Sequence, residues 1–415
     1  VGALSLKDKN LRGLFMKKCK RICPICGCTD NQELYQIKMV IVKDMPIPSS
    51  YGVVSCSHCG FCYADVDASQ ENYNDYYYNF NNYSQIADLK TTMTESADAT
   101  RIAVFDKYIE KDAKILDIGC GSGSFLKLLK EKGYSNVFGL DPSKASIDHL
   151  HGFGINGRVG NVFDSVDDEY KNAFDVVIFT MVMEHIYDLQ NIITNLKKFI
   201  VKDGYLFIEV PAAEGFGKYP TLIPNYFNRE HINYFDRESL DNLLFSNSFE
   251  RVNDEDDCLF DIPMNLDRTR FETILHGLYR ENLEKEHPIQ KSTAGLKSIT
   301  EYFKYMNEFN DRMYGLLDHI FEKHDKCIVW GTGSLTMFLL ANYENLNQHV
   351  FCFVDNNTIK VGTELEDRKI ISPNEIANVD SDIPILICSI YNVKEIRQQI
   401  KDMQIQNPCY SFEEI

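Results

Sequence analysis

Two aspartates and three glycines near the middle of the chain have the spacing of a nucleotide-binding turn. Asp117 ends a short apolar run that is typical of a buried parallel strand. Three glycines follow at alternate positions before a helical pattern begins, namely Gly119, Gly121 and Gly123. Glycine has no Cβ, so a ligand can approach this backbone closely. Asp141 ends a second predicted strand about twenty residues on, where an acid would meet the hydroxyls of a ribose.

Four cysteines near the N-terminus have metal-ligand spacing. They form two Cys-x-x-Cys-Gly pairs, which are Cys23 with Cys26 and Cys56 with Cys59. Two such pairs separated by predicted short strands are typical of a zinc ribbon, in which four thiolates surround one tetrahedral ion. Because four protein ligands leave no open position, we expect a structural zinc rather than a catalytic one. A redox pair and metal-free cysteines are the alternatives.

Two histidines are candidates for acid–base chemistry. Glu230 and His231 are adjacent within an aromatic stretch, and an imidazole held by a carboxylate is suited to proton transfer near neutral pH. His185 follows a predicted central strand and is a second candidate, although such a histidine can also serve only to orient its neighbours. We interpret Glu184 as a polar loop residue, and a structural Glu-His turn at 230–231 remains an alternative.

The elements around these residues alternate between strand and helix, which predicts an α/β fold with a doubly wound Rossmann-like sheet. A length of 415 residues suggests two or three domains. The expected division is a tag or linker at 1–15, a zinc-binding module and lid at 16–84, a ligand-binding domain at 85–250, a helical connector at 251–325 and a smaller Rossmann-like domain at 326–415.

Composition narrows the possible partners. The formal net charge of −18 argues against nucleic acid, because nothing offsets the repulsion of the phosphates. No apolar run reaches about 18 residues, so we expect no membrane-spanning helix. The odd count of 13 cysteines fits a reducing compartment, and with no evident secretion signal in the first 20 residues we expect a cytoplasmic protein.

A second glycine turn lies in the C-terminal third of the chain. Gly331 and Gly333 follow an apolar strand, and Asp355 ends the next one, as in an NAD site. The third glycine of that pattern is replaced by Thr336. Substrate handling, a purely structural role and NAD binding are all compatible with this domain, and we favour the first.

The order Asp-x-Gly-x-Gly-x-Gly at 117–123 resembles the first motif of class I S-adenosylmethionine-dependent methyltransferases. The resemblance implies that Asp117 and the glycine backbone meet the amino-acid tail of the cofactor and that Asp141 meets its ribose. In this family a polar residue after the third strand contacts the adenine. Asn161 or Asp164 would do so here.

The chain as a whole resembles nucleotide-sugar C-methyltransferases, which share its order of zinc module, methyltransferase domain and C-terminal Rossmann-like domain. In that family a Tyr-His-Glu-His run supplies the proton-transfer groups, whereas residues 228–231 are Asn-Arg-Glu-His here. Tyr226, Tyr234 or a tyrosine from 76–83 would substitute for the missing tyrosine.

The function expected from the sequence is methyl transfer from S-adenosylmethionine to a nucleotide-linked deoxysugar. His231, assisted by Glu230, would remove a proton from the acceptor, and carbon is the expected site of methylation. The alternatives are an O- or N-methyltransferase of a glycan or natural-product intermediate and a non-catalytic cofactor-binding protein. The oligomeric state is not indicated.

Overall fold

A computed structural model describes residues 19–40, 45–79, 92–220, 225–254, 258–264, 271–283, 287–389 and 392–414. The predicted tag at 1–15 and residues 80–84 of the tyrosine-rich segment lie outside these ranges.

A four-stranded antiparallel sheet carries the paired cysteines. Its order is β1-β2-β3-β9, and the strands are β1 (Asn31–Lys38), β2 (Ser50–Cys56), β3 (Cys62–Asp65) and β9 (Asn233–Tyr234). The first three strands belong to the N-terminal module, but β9 comes directly after Glu230 and His231. The module is therefore joined by backbone pairing to the segment that holds the predicted proton-transfer residues.

The central sheet has eight strands in the order β10-β12-β8-β7-β4-β5-β6, with β11 paired to β12. In chain order they are β4 (Lys114–Ile118), β5 (Asn136–Asp141), β6 (Asn156–Val159), β7 (Phe174–Thr180), β8 (Ile200–Pro211), β10 (Phe249–Arg251), β11 (Leu259–Pro263) and β12 (Phe271–Glu281). Strands β4 to β8 are parallel, and β10, β11 and β12 pair antiparallel. The strand order reverses between β4 and β7, and in such sheets ligands bind at the carboxyl ends of the strands at this reversal.

Helices cover this sheet on both faces, as the alternating pattern predicted. They are α2 (Thr92–Tyr108), α3 (Ser124–Glu131), α4 (Lys144–Gly152), α5 (Leu189–Lys197) and α6 (Arg237–Ser246). Asp236 caps the N-terminus of α6, because its carboxylate accepts the N–H of Ser239 and the Ser239 hydroxyl accepts that of Asp236. The doubly wound α/β fold is confirmed.

The helical connector predicted for 251–325 is wrong in its first half. Strands β11 and β12 occupy much of it, and among its described residues α7 (Ala294–Phe321) is the helix. Strand β12 pairs with β8 on one side and with β10 and β11 on the other, and most of its residues are buried. A strand buried on both faces shows no apolar–polar alternation, and its sequence resembles that of a buried helix.

The C-terminal region forms a second α/β unit, as predicted. Its sheet has the order β15-β16-β14-β13-β17-β18. Its elements are β13 (Cys327–Trp330), α8 (Ser334–Asn342), α9 (Leu346–His349), β14 (Val350–Val354), β15 (Glu364–Leu365), β16 (Arg368–Ile371), β17 (Ile385–Ile387), α10 (Val393–Asp402) and β18 (Cys409–Ser411). Helix α7 packs on the N-terminal module, where the rings of Tyr35 and Phe303 stack at 4.3 Å. Within the described residues, none of the helices has the length and apolar character needed to span a bilayer.

Candidate active site

The glycine turn between β4 and α3 is closed on two sides and open on one. Gly119, Gly121 and Gly123 all have left-handed backbone, with φ of 77°, 52° and 70°. A Cβ on Gly119 would lie 2.9 Å from Val182, and one on Gly123 would lie 2.4 Å from Leu150. A Cβ on Gly121 would meet no described atom within 4 Å. The backbone at Gly121 is therefore the part of the turn that a ligand can approach.

Asp117 is a buried carboxylate whose charge is only partly compensated by the surrounding protein groups. Its side chain is at the end of β4, and its Oδ1 has no hydrogen bond within the described part of the chain. Burial raises the pKa of Asp117 to about 7, the Arg101 guanidinium opposes this rise, and the nearby Asp141 and Glu209 carboxylates add to it. Arg101 itself is bound to Asp98 and Glu209. A ligand with a positive charge would satisfy Asp117.

Asp141 is held in place by backbone N–H groups. Its Oδ2 accepts the N–H of Gly121 at 2.9 Å, and its Oδ1 accepts that of Ser143 at 2.8 Å. Burial raises the pKa of this carboxyl, and the two N–H bonds work against the rise. A carboxylate has about four acceptor positions, so Asp141 can accept further hydrogen bonds, as contact with a ribose diol requires.

Asn161 and Asp164, the two candidates for an adenine contact, lie in one turn after β6. The N–H of Asn161 donates to Asp164 Oδ2 at 2.7 Å, and its side-chain amide donates to the Tyr78 hydroxyl at 2.9 Å. Tyr78 belongs to α1 (Gln70–Asn79), which lies in the predicted lid segment. The lid helix therefore reaches the same edge of the sheet as the glycine turn.

His185 and His231 are brought together with a third group, Glu184. The two imidazole centroids are 4.7 Å apart with planes at 75°, and Glu184 Oε1 is 3.6 Å from His185 Nε2. Glu184 lies in a short turn after β7, as the loop assignment expected, but it is only 2% exposed. Burial raises its pKa to about 8, with the Glu209 and Glu272 carboxylates contributing.

The protein surroundings favour neutral imidazoles in this cluster. Desolvation lowers the pKa of His185, partly opposed by Glu230. Desolvation also lowers the pKa of His231 well below its ordinary value, and His185 adds to that effect. Neutral imidazoles can accept protons, so both histidines are in the state required of a general base at neutral pH.

Two tyrosines of α1 complete the cluster. The Tyr76 hydroxyl donates to the Glu230 carboxylate. The Tyr77 hydroxyl is 2.7 Å from His185 Nδ1, which is also 3.2 Å from the Glu230 carbonyl oxygen. The Glu230 carboxylate thus accepts a hydrogen bond from Tyr76 in this cluster, and its expected role of holding the His231 imidazole stays a prediction.

The other two tyrosine candidates, Tyr226 and Tyr234, make contacts with residues outside the histidine cluster. Tyr226 donates to the carbonyl of Tyr219 at 3.0 Å, and the ring of Tyr234 packs against Phe227. The histidine cluster itself lies beside the glycine turn, because Val182, three residues before His185, contacts Gly119. Cofactor turn and histidines therefore share the carboxyl edge of β4 and β7.

The four paired cysteines converge on one point. The Cys23 and Cys59 sulfurs are 3.6 Å apart, those of Cys26 and Cys56 are 3.5 Å apart, and all four lie within 4.8 Å of one another. Zinc at about 2.3 Å from each sulfur of a tetrahedron needs sulfur separations of about 3.8 Å. The cluster fits that ion.

In the glycine turn of the C-terminal unit, the Asp355 carboxylate is bound by other protein groups. Asp355 Oδ2 accepts the N–H of Thr332 at 3.0 Å and lies 3.6 Å from the Lys360 ammonium. The carboxylate that an NAD site would offer to a ribose thus has a hydrogen bond and a positive charge from the protein. The role of this unit in substrate handling stays a prediction.

Comparison with known families agrees with the geometry of the central sheet. Residues 91–252 match the family model described as a methyltransferase domain. The central domain is a class I methyltransferase domain. Residues 323–408 match a second model, described as C2185-like, N-terminal.

Curated relatives match about a quarter of the chain. The ubiquinone biosynthesis O-methyltransferase of Vibrio atlanticus is 29% identical over 99 residues, which are 23% of this chain and 41% of that protein. The enzyme of the same name from Rickettsia bellii is 33% identical over 100 residues, with the same coverage of both chains. The chain therefore spans about two fifths of the length of these relatives.

Solved structures resemble about half of the chain. The geranyl diphosphate C-methyltransferase of Streptomyces coelicolor A3(2) is 14% identical, covers 49% of this chain and 85% of its own, and has a TM-score of 0.37. At this identity and TM-score the resemblance says nothing about the substrate.

Three side chains of the methyltransferase domain's site were not found from the sequence. Arg101 and Glu184 lie in a helix and a short turn with no motif around them, and Tyr77 was only one of several lid tyrosines. The closely spaced tyrosines at 76–78 were the one available signal. The cofactor fits the observed groups, because Asp117 Oδ1 has no hydrogen bond within the described residues and Gly121 leaves its backbone open.

Proposed function

We propose that the chain is an S-adenosylmethionine-dependent methyltransferase that acts on a nucleotide-linked sugar. The observation that carries the proposal is the position of the His185–His231 cluster beside an open glycine turn with a buried, unsatisfied Asp117. A methyl donor with a cationic tail and a proton acceptor are the two requirements of methyl transfer, and this edge of the sheet has groups for both.

The cofactor supplies an electrophilic methyl group when bound. Asp117 would hold the ammonium of the amino-acid tail, and Asp141 the ribose hydroxyls. Asn161 or Asp164 would contact the adenine. Because the sulfonium is already reactive, the main contribution of the protein is to align the acceptor with the methyl carbon and to exclude water.

Proton removal from the acceptor is assigned to His231. As the acceptor atom gains the methyl group, the proton that it carries passes to the neutral imidazole of His231. Glu230 assists this proton transfer from within the same cluster. Its carboxylate accepts a hydrogen bond from the Tyr76 hydroxyl. His185 is fixed by Tyr77 and by the Glu230 carbonyl, and it orients the ring of His231.

A nucleotide-linked sugar is supported by the order of the domains. The cysteine module, the methyltransferase domain and the C-terminal α/β unit occur in the order found in nucleotide-sugar C-methyltransferases. Oxygen methylation is the second candidate, because the curated relatives are named as O-methyltransferases. For carbon attack a proton beside a ketone must leave, whereas for oxygen attack one base near a hydroxyl is enough.

The cysteine cluster is proposed to hold one structural zinc ion. The support is the fit of its sulfur separations to a tetrahedral site. Metal analysis of purified protein should give about one equivalent of zinc. Less than half an equivalent after purification without chelators would contradict this assignment.

Methyl transfer from labelled S-adenosylmethionine to a panel of nucleotide sugars tests the function. A keto sugar that exchanges its α-proton in deuterated water and gains a carbon-bound methyl group would support C-methylation, and label on a hydroxyl oxygen would support the second candidate. His231→Ala should lower kcat at least tenfold in either case. A chain that binds the cofactor but transfers no methyl group to any acceptor would instead be a binding protein.

A further inference from the structure

Arg21 is a buried cation at the junction of the cysteine module and the active site. It is 2% exposed and lies two residues before Cys23, the first of the paired cysteines. Its backbone N–H donates to Asp65 Oδ1 at 2.8 Å, which ties it to strand β3 of the module. The position of its backbone is therefore set by the module.

The guanidinium of Arg21 reaches into the two segments that carry the histidines. Nη1 donates to the carbonyl of Ile232 at 3.1 Å. Nη2 donates to the carbonyls of Tyr187 at 2.6 Å and Ile186 at 3.3 Å, and to Asn233 Oδ1 at 2.9 Å. One fork thus bridges 186–187 with 232–233.

The same two segments are cross-linked a second time. The Asn233 amide donates to the carbonyls of Met183 at 2.9 Å and Ile186 at 2.7 Å. The N–H of Ile232 donates to the carbonyl of Glu184 at 2.8 Å. Arg21 therefore bonds directly, or through Asn233, to the backbone on both sides of His185 and to the residue after His231.

The chemistry of this contact requires an arginine. The hydrogen-bond acceptors of the guanidinium recorded here are three carbonyls and one amide oxygen, so its role is directional hydrogen bonding rather than the pairing of a charge. A planar fork can hold acceptors on two chain segments at once, whereas a lysine ammonium is a point charge on a flexible stem. The guanidinium also lies 4.7 Å from the centre of the Tyr187 ring, which restricts its rotation.

We propose that Arg21 is a positioning residue that fixes the relative placement of His185 and His231 and couples it to the cysteine module. The proposal rests on the proton-transfer role given to these histidines above. Because Ile186 and Ile232 are each adjacent to a histidine, a shift of either carbonyl moves the imidazole beside it. A displacement of about 1 Å in such a group is enough to reduce turnover roughly a hundredfold.

The test compares Arg21→Lys and Arg21→Met with the wild type and with a matched control, Arg251→Lys. Arg251 is also a buried arginine, but it binds Asp241 and Tyr279 at the β10–β12 edge of the sheet. All proteins are used as the full chain loaded with zinc. Zinc content, cofactor Kd, kcat, KM and the ring signals of labelled histidines over pH are measured for each.

Both Arg21 variants should keep zinc and bind the cofactor within about threefold of the wild type, while kcat falls at least tenfold with KM little changed. The histidine signals of the cluster should move and titrate at altered pH. Arg251→Lys should leave kcat and these signals as they are. If Arg21→Met does not fold, Arg21→Lys decides, because it keeps the charge and the length of the side chain.

Unchanged kcat and unchanged histidine signals in Arg21→Lys would overturn the proposal, as would an equal loss of kcat in Arg251→Lys. A wild type without methyl transfer to any acceptor would count against the proposed function alone. In that case the histidine signals still decide whether Arg21 sets the geometry of the pair.

Discussion

Replacing Asp117 by asparagine should stabilise the free protein and weaken cofactor binding. The carboxylate is 4% exposed and has an oxygen with no hydrogen bond within the described residues. Its ionisation therefore destabilises the folded protein until a cation binds. Asparagine has nearly the same shape and no charge. Opposite effects on stability and binding are typical of groups kept for function.

The size of the stability effect follows from the pKa. Burial raises the pKa of Asp117 from 3.8 in the unfolded chain to about 7 in the folded one. Stability is therefore fully present below pH 3.8 and is lost as pH rises through about 7, by about 1.4 kcal/mol per pH unit in that window. The total of about 4 kcal/mol is an upper bound, because an unpaired asparagine amide itself costs roughly 1 to 3 kcal/mol.

The effect on binding has the opposite sign. Removing one partner of a buried charge pair costs roughly 2 to 5 kcal/mol, so the Kd for S-adenosylmethionine should rise at least about thirtyfold. A cofactor analogue with an uncharged tail should lose much less affinity when Asp117 is replaced by asparagine. This difference separates loss of the ion pair from a general distortion of the turn.

Chemical denaturation from pH 5 to pH 8.5 and titration calorimetry at pH 7.5 are the assays. Asp175→Asn is the control, because Asp175 is an exposed aspartate in the neighbouring strand β7, at the end opposite to the cofactor turn. The stability of Asp117→Asn relative to wild type should grow with pH up to about 7 and then stay constant. A constant difference across this range, or cofactor affinity within threefold of wild type, would refute the reasoning.

Three further predictions concern the other parts of the site. Cys26→Ser should reduce bound zinc from about one equivalent to less than about 0.2 and lower the thermal midpoint by several degrees, and full zinc retention would contradict this. Gly123→Ala should raise the cofactor Kd at least about tenfold, because its φ is 70° and the added methyl would lie 2.4 Å from Leu150, whereas an unchanged Kd by calorimetry would argue against a packed turn. Tyr77→Phe removes the hydroxyl 2.7 Å from His185 Nδ1 and should lower kcat about tenfold and shift the pH–rate profile, while a profile identical to wild type would remove Tyr77 from the network.

The sequence was most informative where function depends on spacing along the chain. The glycine turn requires positive φ at three positions, and only glycine adopts positive φ without strain. The conformation of the turn can therefore be predicted from its residue types. The paired cysteines are equally local, because each pair spans a single turn of backbone. The four cysteine sulfurs converge within 4.8 Å, as their spacing predicted.

The sequence was least informative where burial hides the pattern. Strand β12 was taken for part of a helical connector because most of its residues are buried, and its sequence therefore shows no apolar–polar alternation. Glu184 was taken for a polar loop residue because nothing in its own neighbourhood indicates that it is enclosed. Burial is a property of the packed molecule and leaves no period in such short segments.

The sequence by itself determined the glycine turn, the cysteine pairs and the α/β alternation, since these depend on residues close together in the chain. Only the tertiary structure decided how the proton-transfer groups are arranged. Tyr77 and His185 are 108 residues apart, and Tyr76 and Glu230 are 154 apart. Arg21 joins segments up to 212 residues away. Contacts over such separations arise from packing and register, which no local pattern of residues encodes.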